Sequence, residues 1–472
     1  MWTAFERPKR LLYYLTPAFF VGNRALIPHP SLDLMYDRVE DKLFIQQMET
    51  TMQTMQTMHR AVISGIRLFF FSAALGSSSA SAQEQIQIGD LTVGGAIRAN
   101  YVLGDYVKDG SGAPQRGGNG GDFELDTFRI NLNYQKGALS AAGEYRWYNG
   151  YNFVHTAYIG YALSEQGELQ IGINRVPFGV GPYGPANSWF FDQHYYVGLS
   201  DDMDTGLKYT HRFHSMTLDA AVYFMPTPGG RGASSRSARY SYDVVDEDSG
   251  GFPGTYRERG QVNLRGIYHL EDHNTDLGAS AQWGRLDARD DRAENTNAHA
   301  FSLHSSTTLG AANLKLQYTR YDYNPDYNEN ARVALAGDRD IAAPNDLIMM
   351  GAYDFAWPVA SKGDIYSAAV SYTINPNVPW IDSLTFYNDF SIIRKDGSID
   401  GMSFNDSALN VTGVAIARGG WYIYVDYAYS NGNYFVGDQG DNYSDITGVG
   451  DFGVNGNDSW NGRFNINFGY YF

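Results

Sequence analysis

The chain has 472 residues, of which 43% are hydrophobic, 15% aromatic and only 18% charged, and its formal net charge is −17. So many aromatic residues exclude a disordered chain, and the absence of cysteine excludes disulfides, thiolate zinc sites and cysteine nucleophiles. The acidic balance argues against nucleic acid as a partner, because phosphate binding needs a basic surface.

The first 82 residues differ in pattern from the rest of the chain. A basic stretch leads into the apolar run 68–75, which ends in the small residues 80–82. This is the order of regions in a secretory signal peptide, and the apolar run is too short to span a bilayer. We therefore expect 58–82 to be a signal peptide that is cleaved before Gln83. The preceding residues, 1–57, are predicted to be an upstream extension that is absent from the mature protein. A buried helix is the alternative for the apolar run.

From Leu91 to the C-terminus, apolar and polar residues alternate with a period of two. In the first of these stretches Val93 and Ile97 share one face, and Arg98 and Asn100 share the other. Strict alternation is typical of β-strands with one apolar face. Sixteen strands are predicted, at 91–103, 127–134, 139–148, 155–163, 168–175, 204–211, 216–225, 261–270, 276–285, 299–309, 312–321, 364–374, 383–393, 407–416, 421–430 and 460–472.

Strands of a soluble β-sandwich also alternate apolar and polar residues, so the lengths of the connections decide which kind of β-protein this is. Short turns and longer polar loops follow each other in order, with 149–154 the only short connection among the loops. This asymmetry is typical of transmembrane β-barrels. An even strand number also returns both termini to one side. Segment 348–358 is therefore predicted to be a loop, which Pro358 also favours. The mature chain, 83–472, is predicted to be an all-β, antiparallel transmembrane barrel of about sixteen strands.

The C-terminal strand carries a further signal. Phe464, Ile466, Phe468, Tyr470 and Phe472 share one face, and the chain ends on an aromatic residue. Here the sequence resembles the outer-membrane proteins of Gram-negative bacteria, whose last strand with a terminal Phe is recognised by the barrel-assembly machinery. The resemblance implies that the barrel lies in outer-membrane lipid and that Phe472 is an assembly signal.

A second, looser resemblance lies in 175–209. The segments Arg175-Val-Pro-Phe-Gly, Trp189-Phe-Phe and Asp201-Asp-Met-Asp are similar to stretches of porins related to the phosphate-selective type. By analogy with known porins, the resemblance implies a homotrimer.

A barrel of this size is wide enough for an aqueous channel. Alternation turns a set of charged residues toward this lumen: Arg98, Arg129, Glu144, Arg146, Lys208, Asp219, Arg265 and Lys315. Basic residues prevail in the set, and rings of basic side chains select anions in pores. The alternative is that a water-filled lumen tolerates charges of either sign.

The loop after the fifth strand is long and aromatic. An aromatic loop in bulk water would be a liability, so it is predicted to pack against the inside wall of the barrel as a constriction loop. A subunit contact and an adhesive surface loop are the alternatives. Its candidate residues are Arg175, Trp189, Phe190, Tyr195, Asp201, Asp202 and Asp204. The acidic run that ends the loop has oxygen ligands for Ca²⁺ but lacks a full loop motif, so a solvated acidic turn is the expectation, with no metal site.

No nucleophile elbow, zinc-protease motif or Walker loop occurs in the sequence. We therefore predict that the protein is not an enzyme and needs no cofactor. The predicted function is a porin that passes small hydrophilic solutes or ions by diffusion. The alternative is a structural or adhesive barrel that acts through its external loops.

Overall fold

The computed structural model describes residues 86–104, 121–335, 339–433, 435–436 and 460–472. The predicted signal peptide and the upstream extension lie outside these residues. In the described part of the chain, no helix is long and apolar enough to cross a membrane.

Sixteen long antiparallel strands and the short strand Ile86–Ile88 form one sheet that closes on itself. The first and last long strands pair, with Arg98 opposite Gly469 and Leu103 opposite Phe464. The sixteen-stranded antiparallel barrel predicted from the sequence is thereby confirmed. The long strands are β1 (Leu91–Gly104), β2 (Asp122–Lys136), β3 (Leu139–Trp147), β4 (Asn152–Ala162), β5 (Gly167–Arg175), β6 (Met203–Arg212), β7 (Met216–Met225), β8 (Tyr256–Leu270), β9 (Thr275–Ala288), β10 (Thr296–Leu309), β11 (Ala312–Asp322), β12 (Lys362–Ile374), β13 (Ser383–Asp396), β14 (Ser407–Arg418), β15 (Trp421–Ser430) and β16 (Asn461–Tyr471).

The barrel has its apolar side chains outside and its polar side chains inside. On β8, Leu264 is 57% exposed, whereas its neighbour Asn263 is fully buried. The buried amide of Asn263 donates to Gln282 Oε1 on β9 at 2.9 Å. This bond pairs two polar groups inside the wall, and the apolar outer surface suits an apolar environment.

The two ends of the barrel differ in their connections. At one end, tight turns join the strands, and glycines with positive φ stand in two of them, Gly137 (φ 57°) and Gly310 (φ 61°). A residue with a Cβ rarely adopts this conformation. At the other end the loops are long, apart from 148–151 and 289–295.

Two of the long loops form a small sheet above the wall. Strand Leu347–Ala352 pairs with Phe355–Ala360 on one side and with Asp243–Val244 on the other. The segment predicted to be a loop, 348–358, therefore lies outside the barrel wall as expected, but it forms a β-hairpin of its own. Pro358 lies in the edge strand of this sheet, where a missing N–H is tolerated.

Candidate functional site: the lumen beside the internal loop

Residues 176–202, between β5 and β6, run along the inside of the barrel. Phe190, Tyr195, Val197 and Leu199 are buried there. The loop begins with two backbone contacts to the wall: Gly179 N–H donates to Ser280 Oγ on β9 at 3.0 Å, and Val180 N–H donates to Gln317 Oε1 on β11 at 2.9 Å. The aromatic residues of the loop are thus covered by its own barrel.

The middle of the loop is held by a carboxylate on β13. Asp389 accepts hydrogen bonds from the backbone N–H and the side-chain amide of Asn187, both at 2.8 Å, and from Ser188 N–H at 2.7 Å. The Trp189 indole donates to Asp126 Oδ2 on β2 at 3.1 Å. The loop therefore spans the lumen between distant strands of the barrel.

A buried chain of hydrogen bonds follows at His194. Its Nδ1 bonds Asp192 Oδ2 at 2.5 Å, and its Nε2 bonds Thr319 Oγ1 on β11 at 2.9 Å. Ser367 on β12 donates to the same Asp192 oxygen at 2.5 Å. All four side chains are buried, so the network fixes the loop to the wall.

Tyrosines join the internal loop to the β7–β8 and β11–β12 loops. Tyr195 donates to the Tyr240 carbonyl at 3.1 Å and forms a short contact with the Tyr353 hydroxyl. Burial raises the pKa of Tyr195, Tyr240 and Tyr353 well above the ordinary value for a phenol. The three phenols therefore remain neutral hydrogen-bonding groups.

Beside the loop lies a cavity of about 680 Å³. Guanidinium groups of Arg98, Arg129, Arg146 and Arg175, on β1, β2, β3 and β5, line it together with Glu144. The loop contributes Trp189, Tyr195 and Asp201 among others to the lining. The structure thus brings together half of the predicted pore-lining set and several residues of the predicted constriction loop.

Two arginines of this wall face each other across neighbouring strands. Arg129 and Arg146 are direct partners in the β2–β3 register, an arrangement that costs stability. Glu144 lies between them, 3.6 Å from Arg129 Nη1 and in a short hydrogen bond to Arg146 Nε. Arg98 Nε pairs with Asp126 Oδ2 at 2.8 Å, and Arg175 Nε pairs with Asp201 Oδ1 at 2.8 Å.

Two β-bulges add polar side chains that the alternation alone does not predict. The β1–β2 register shifts after Arg98 and leaves Asp126 unpaired on β2. The β3–β4 register shifts after Glu144 and leaves His155 unpaired on β4. Both extra residues line the cavity, because a bulge re-aims the side chain of the inserted residue.

The other half of the predicted set is not part of the lining of this cavity. Lys208 Nζ donates to the Arg175 carbonyl at 2.9 Å, and Arg265 pairs with Asp219 at 2.9 Å while it approaches the Gly179 carbonyl at 3.4 Å. Lys315, on β11, is half-buried. Lys208, Arg265 and its partner Asp219 thus lie near the point where the internal loop leaves β5.

The acidic run at the end of the loop differs from its prediction. Asp201, Asp202 and Asp204 are buried, so the expectation of a solvated turn is wrong: neighbouring loops cover the run. Two of the residues assigned to the loop also belong to strands, Arg175 to β5 and Asp204 to β6.

Phe472 closes the barrel against β1. Its main-chain carboxylate oxygen accepts the Gly95 N–H at 2.8 Å, and its own N–H donates to the Gly95 carbonyl at 3.1 Å. A Cβ on Gly95 would lie 2.6 Å from Cζ of the Phe472 ring, so the glycine leaves the space that the terminal ring fills.

Sequence reasoning missed the groups that anchor the loop. Asp389 and Asp426, which accepts the Trp189 N–H at 3.3 Å, both lie on predicted strands. Asp426 stands between Val425 and Tyr427, and this alternation indicates that its side chain points inward. Asp192 and His194 lie in the loop segment itself and have no periodic pattern. Their partners are more than 100 residues away, so no local signal identifies them.

Comparison with known proteins bears on the fold. No model of a protein family and no curated protein matches this sequence. Among solved structures, OmpF of Salmonella typhi, in a complex with daunomycin, is 14% identical; the match covers 82% of this chain and 100% of that chain, with a TM-score of 0.50. The chain has the porin fold. The outer membrane channel DcaP of Acinetobacter baumannii is 11% identical over 83% of this chain and all of that chain, with a TM-score of 0.49. An anion-selective porin from Comamonas acidovorans is 11% identical over 81% of this chain and 99% of that chain, with a TM-score of 0.46.

Proposed function

We propose that this protein is an outer-membrane porin whose water-filled lumen passes small hydrophilic solutes or ions by diffusion. One observation carries the proposal: the internal loop leaves a polar cavity open beside a wall of four arginines. A barrel with a purely structural role would gain nothing from like charges that are paired directly across neighbouring strands.

The outer surface supports a location in the outer membrane. Large apolar side chains such as Ile159, Leu264 and Trp283 are exposed on the strands, which suits lipid and no other medium. The proposal includes assembly by the barrel-assembly machinery through Phe472 and a homotrimeric state. Chemical cross-linking of the membrane-extracted protein tests the trimer.

The charges of the cavity favour charged or strongly polar solutes. Four guanidinium groups and four carboxylates line it, those of Glu124, Asp126, Glu144 and Asp201. Because Arg129 and Arg146 share the single carboxylate of Glu144, the β2–β3 part of the wall is locally positive. We propose that passing anions interact with this part. The proposal assigns the chain no reaction and no cofactor.

Planar-bilayer recording tests the function. Folded protein, purified from membranes, should produce stable steps of ion current, whereas the same sample unfolded by heat should produce none. A folded protein that inserts without current steps would contradict the porin function and favour a barrel that acts through its external loops.

A further inference from the structure

Three carboxylates meet where the internal loop ends. Asp202 is the last residue of the loop, Asp204 is the second residue of β6, and Asp243 comes from the loop between β7 and β8. One oxygen from each lies within 4.8 Å of the others. All three side chains are buried, with Asp204 and Asp243 each only 1% exposed.

In the part of the chain that the structure describes, Asp202 and Asp204 each have one side-chain oxygen without a hydrogen-bond donor. Among the described residues, nothing donates to Asp202 Oδ1 or to Asp204 Oδ1, although both atoms are shielded from water. The remaining Asp204 oxygen has only a long contact, 3.4 Å from Gln261 Nε2. A buried carboxylate oxygen without a partner is costly, so these atoms point to a ligand that supplies positive charge.

The surrounding charges do not balance the cluster. Arg239 pairs with Asp243 Oδ2 at 2.6 Å. Glu258, at the start of β8, adds a fourth acidic group whose charge acts on Asp202 and Asp204. Burial, together with the charges of Asp243 and Glu258, raises the pKa of Asp202 well above its ordinary value. Within the described ranges, one guanidinium therefore faces four carboxylates, which is an unfavourable arrangement unless a cation or protons compensate it.

We propose that Asp202, Asp204 and Asp243 form a calcium-binding site. Their ligand atoms are all oxygens, as hard divalent cations require, and Ca²⁺ binds such atoms at 2.3–2.6 Å in flexible geometry. Two ligands of one Ca²⁺ ion are thus at most about 5 Å apart, and the three carboxylate oxygens of this cluster lie within 4.8 Å of one another. Mg²⁺ fits less well, because it retains several waters and these side chains are buried.

Asp201 is not part of this site. Arg175 Nε and the Tyr240 hydroxyl donate to its two oxygens at 2.8 and 2.6 Å. The acidic run therefore divides into one residue that faces the cavity wall and two that face Asp243. A Ca²⁺ ion bound there would hold the end of the internal loop to the loop above it.

Calcium content is the direct test. The folded protein, extracted from membranes in detergent, is stripped with EGTA, equilibrated with Ca²⁺ or Mg²⁺, freed of excess ion and analysed by elemental mass spectrometry. The variants are Asp202→Asn and Asp243→Asn. Asp272→Asn, in an exposed turn at the opposite end of the barrel, is the charge-matched control.

The parent and Asp272→Asn should each retain about one Ca²⁺ more per chain than either site variant, and Mg²⁺ should not replace it. Equal calcium content in the parent and in Asp243→Asn would overturn the proposal. If the site variants do not fold, the parent protein alone provides the test. Because a Ca²⁺ ion at this site binds the native state only, adding Ca²⁺ to the EGTA-treated parent should raise its unfolding temperature. No rise with Ca²⁺ would contradict the site.

Discussion

The barrel wall and the internal loop are stabilised in different ways. In the wall, successive side chains point alternately to lipid and to the lumen, and each strand pairs with its neighbour. The alternation in a short stretch of sequence therefore determines which residues face each side. In the loop 176–202, hydrogen bonds to side chains on distant strands replace the regular ladder. Asn187 and its partner Asp389 are 202 residues apart. The wall is thus specified by a local sequence pattern, whereas the position of the loop depends on contacts with strands that are distant in sequence.

The largest effect is expected from charges on the lipid face of the wall. Replacing Ile97, Ile130 and Ala141 with Arg should abolish assembly, because an arginine at the bilayer midplane costs about 2–4 kcal/mol in such barrels. Heat-modifiable migration in gels measures the folded fraction. A double variant with arginine at the inward positions Asn131 and Ser140 is the control for added positive charge. If the triple variant folds as well as this control, the assigned faces are reversed.

Deletion of Phe472 should reduce the folded protein in the membrane severalfold while leaving synthesis unchanged. The deletion removes two backbone hydrogen bonds to Gly95 and the ring that packs on it, as well as the proposed assembly signal. Phe472→Tyr, which retains the ring, should assemble nearly normally. Normal folded levels in the deletion variant would remove this residue from the closure of the barrel.

Loss of an anchor should affect the loop and spare the wall. In Asp389→Ala, the N–H groups of Asn187 and Ser188 lose their acceptor, at a cost of about 1–3 kcal/mol for each buried group. The barrel should still fold, and single-channel current should become larger and noisier because the loop is less firmly held. Asp364→Ala, which removes an ion pair with Arg320 on the wall, is the control and should leave the current unchanged.

The sequence predicts the barrel wall well and the surroundings of the internal loop poorly. All sixteen strands were found by alternation, because one apolar face against lipid gives every strand the same period. Asp126 and His155 were missed since each is the extra residue of a bulge, and a bulge breaks the alternation on which the prediction depends. The buried state of Asp202 could not be predicted, because Asp243 and its loop cover it from another part of the chain.

A smaller effect is expected from the arginine wall. Replacing Arg98, Arg129 and Arg146 with Gln leaves Asp126 and Glu144 without their guanidinium partners. The zero-current potential in a salt gradient should move toward cation preference, and the shift should decrease at high salt, where charges are screened within a few ångströms. Lys208→Gln, outside the cavity lining, should produce little change. An unchanged potential in the triple variant would place these arginines away from the conducting path.

The central claim is that the cavity beside the internal loop belongs to the conducting path. Because the chain has no cysteine, a single introduced thiol reports on one position. Asn131 lines the cavity, and the adjacent Leu132 is 43% exposed on the outer face. In planar bilayers, a charged methanethiosulfonate reagent should reduce the current through Asn131→Cys and leave Leu132→Cys unaffected. No change in the Asn131→Cys current after confirmed modification would contradict the account.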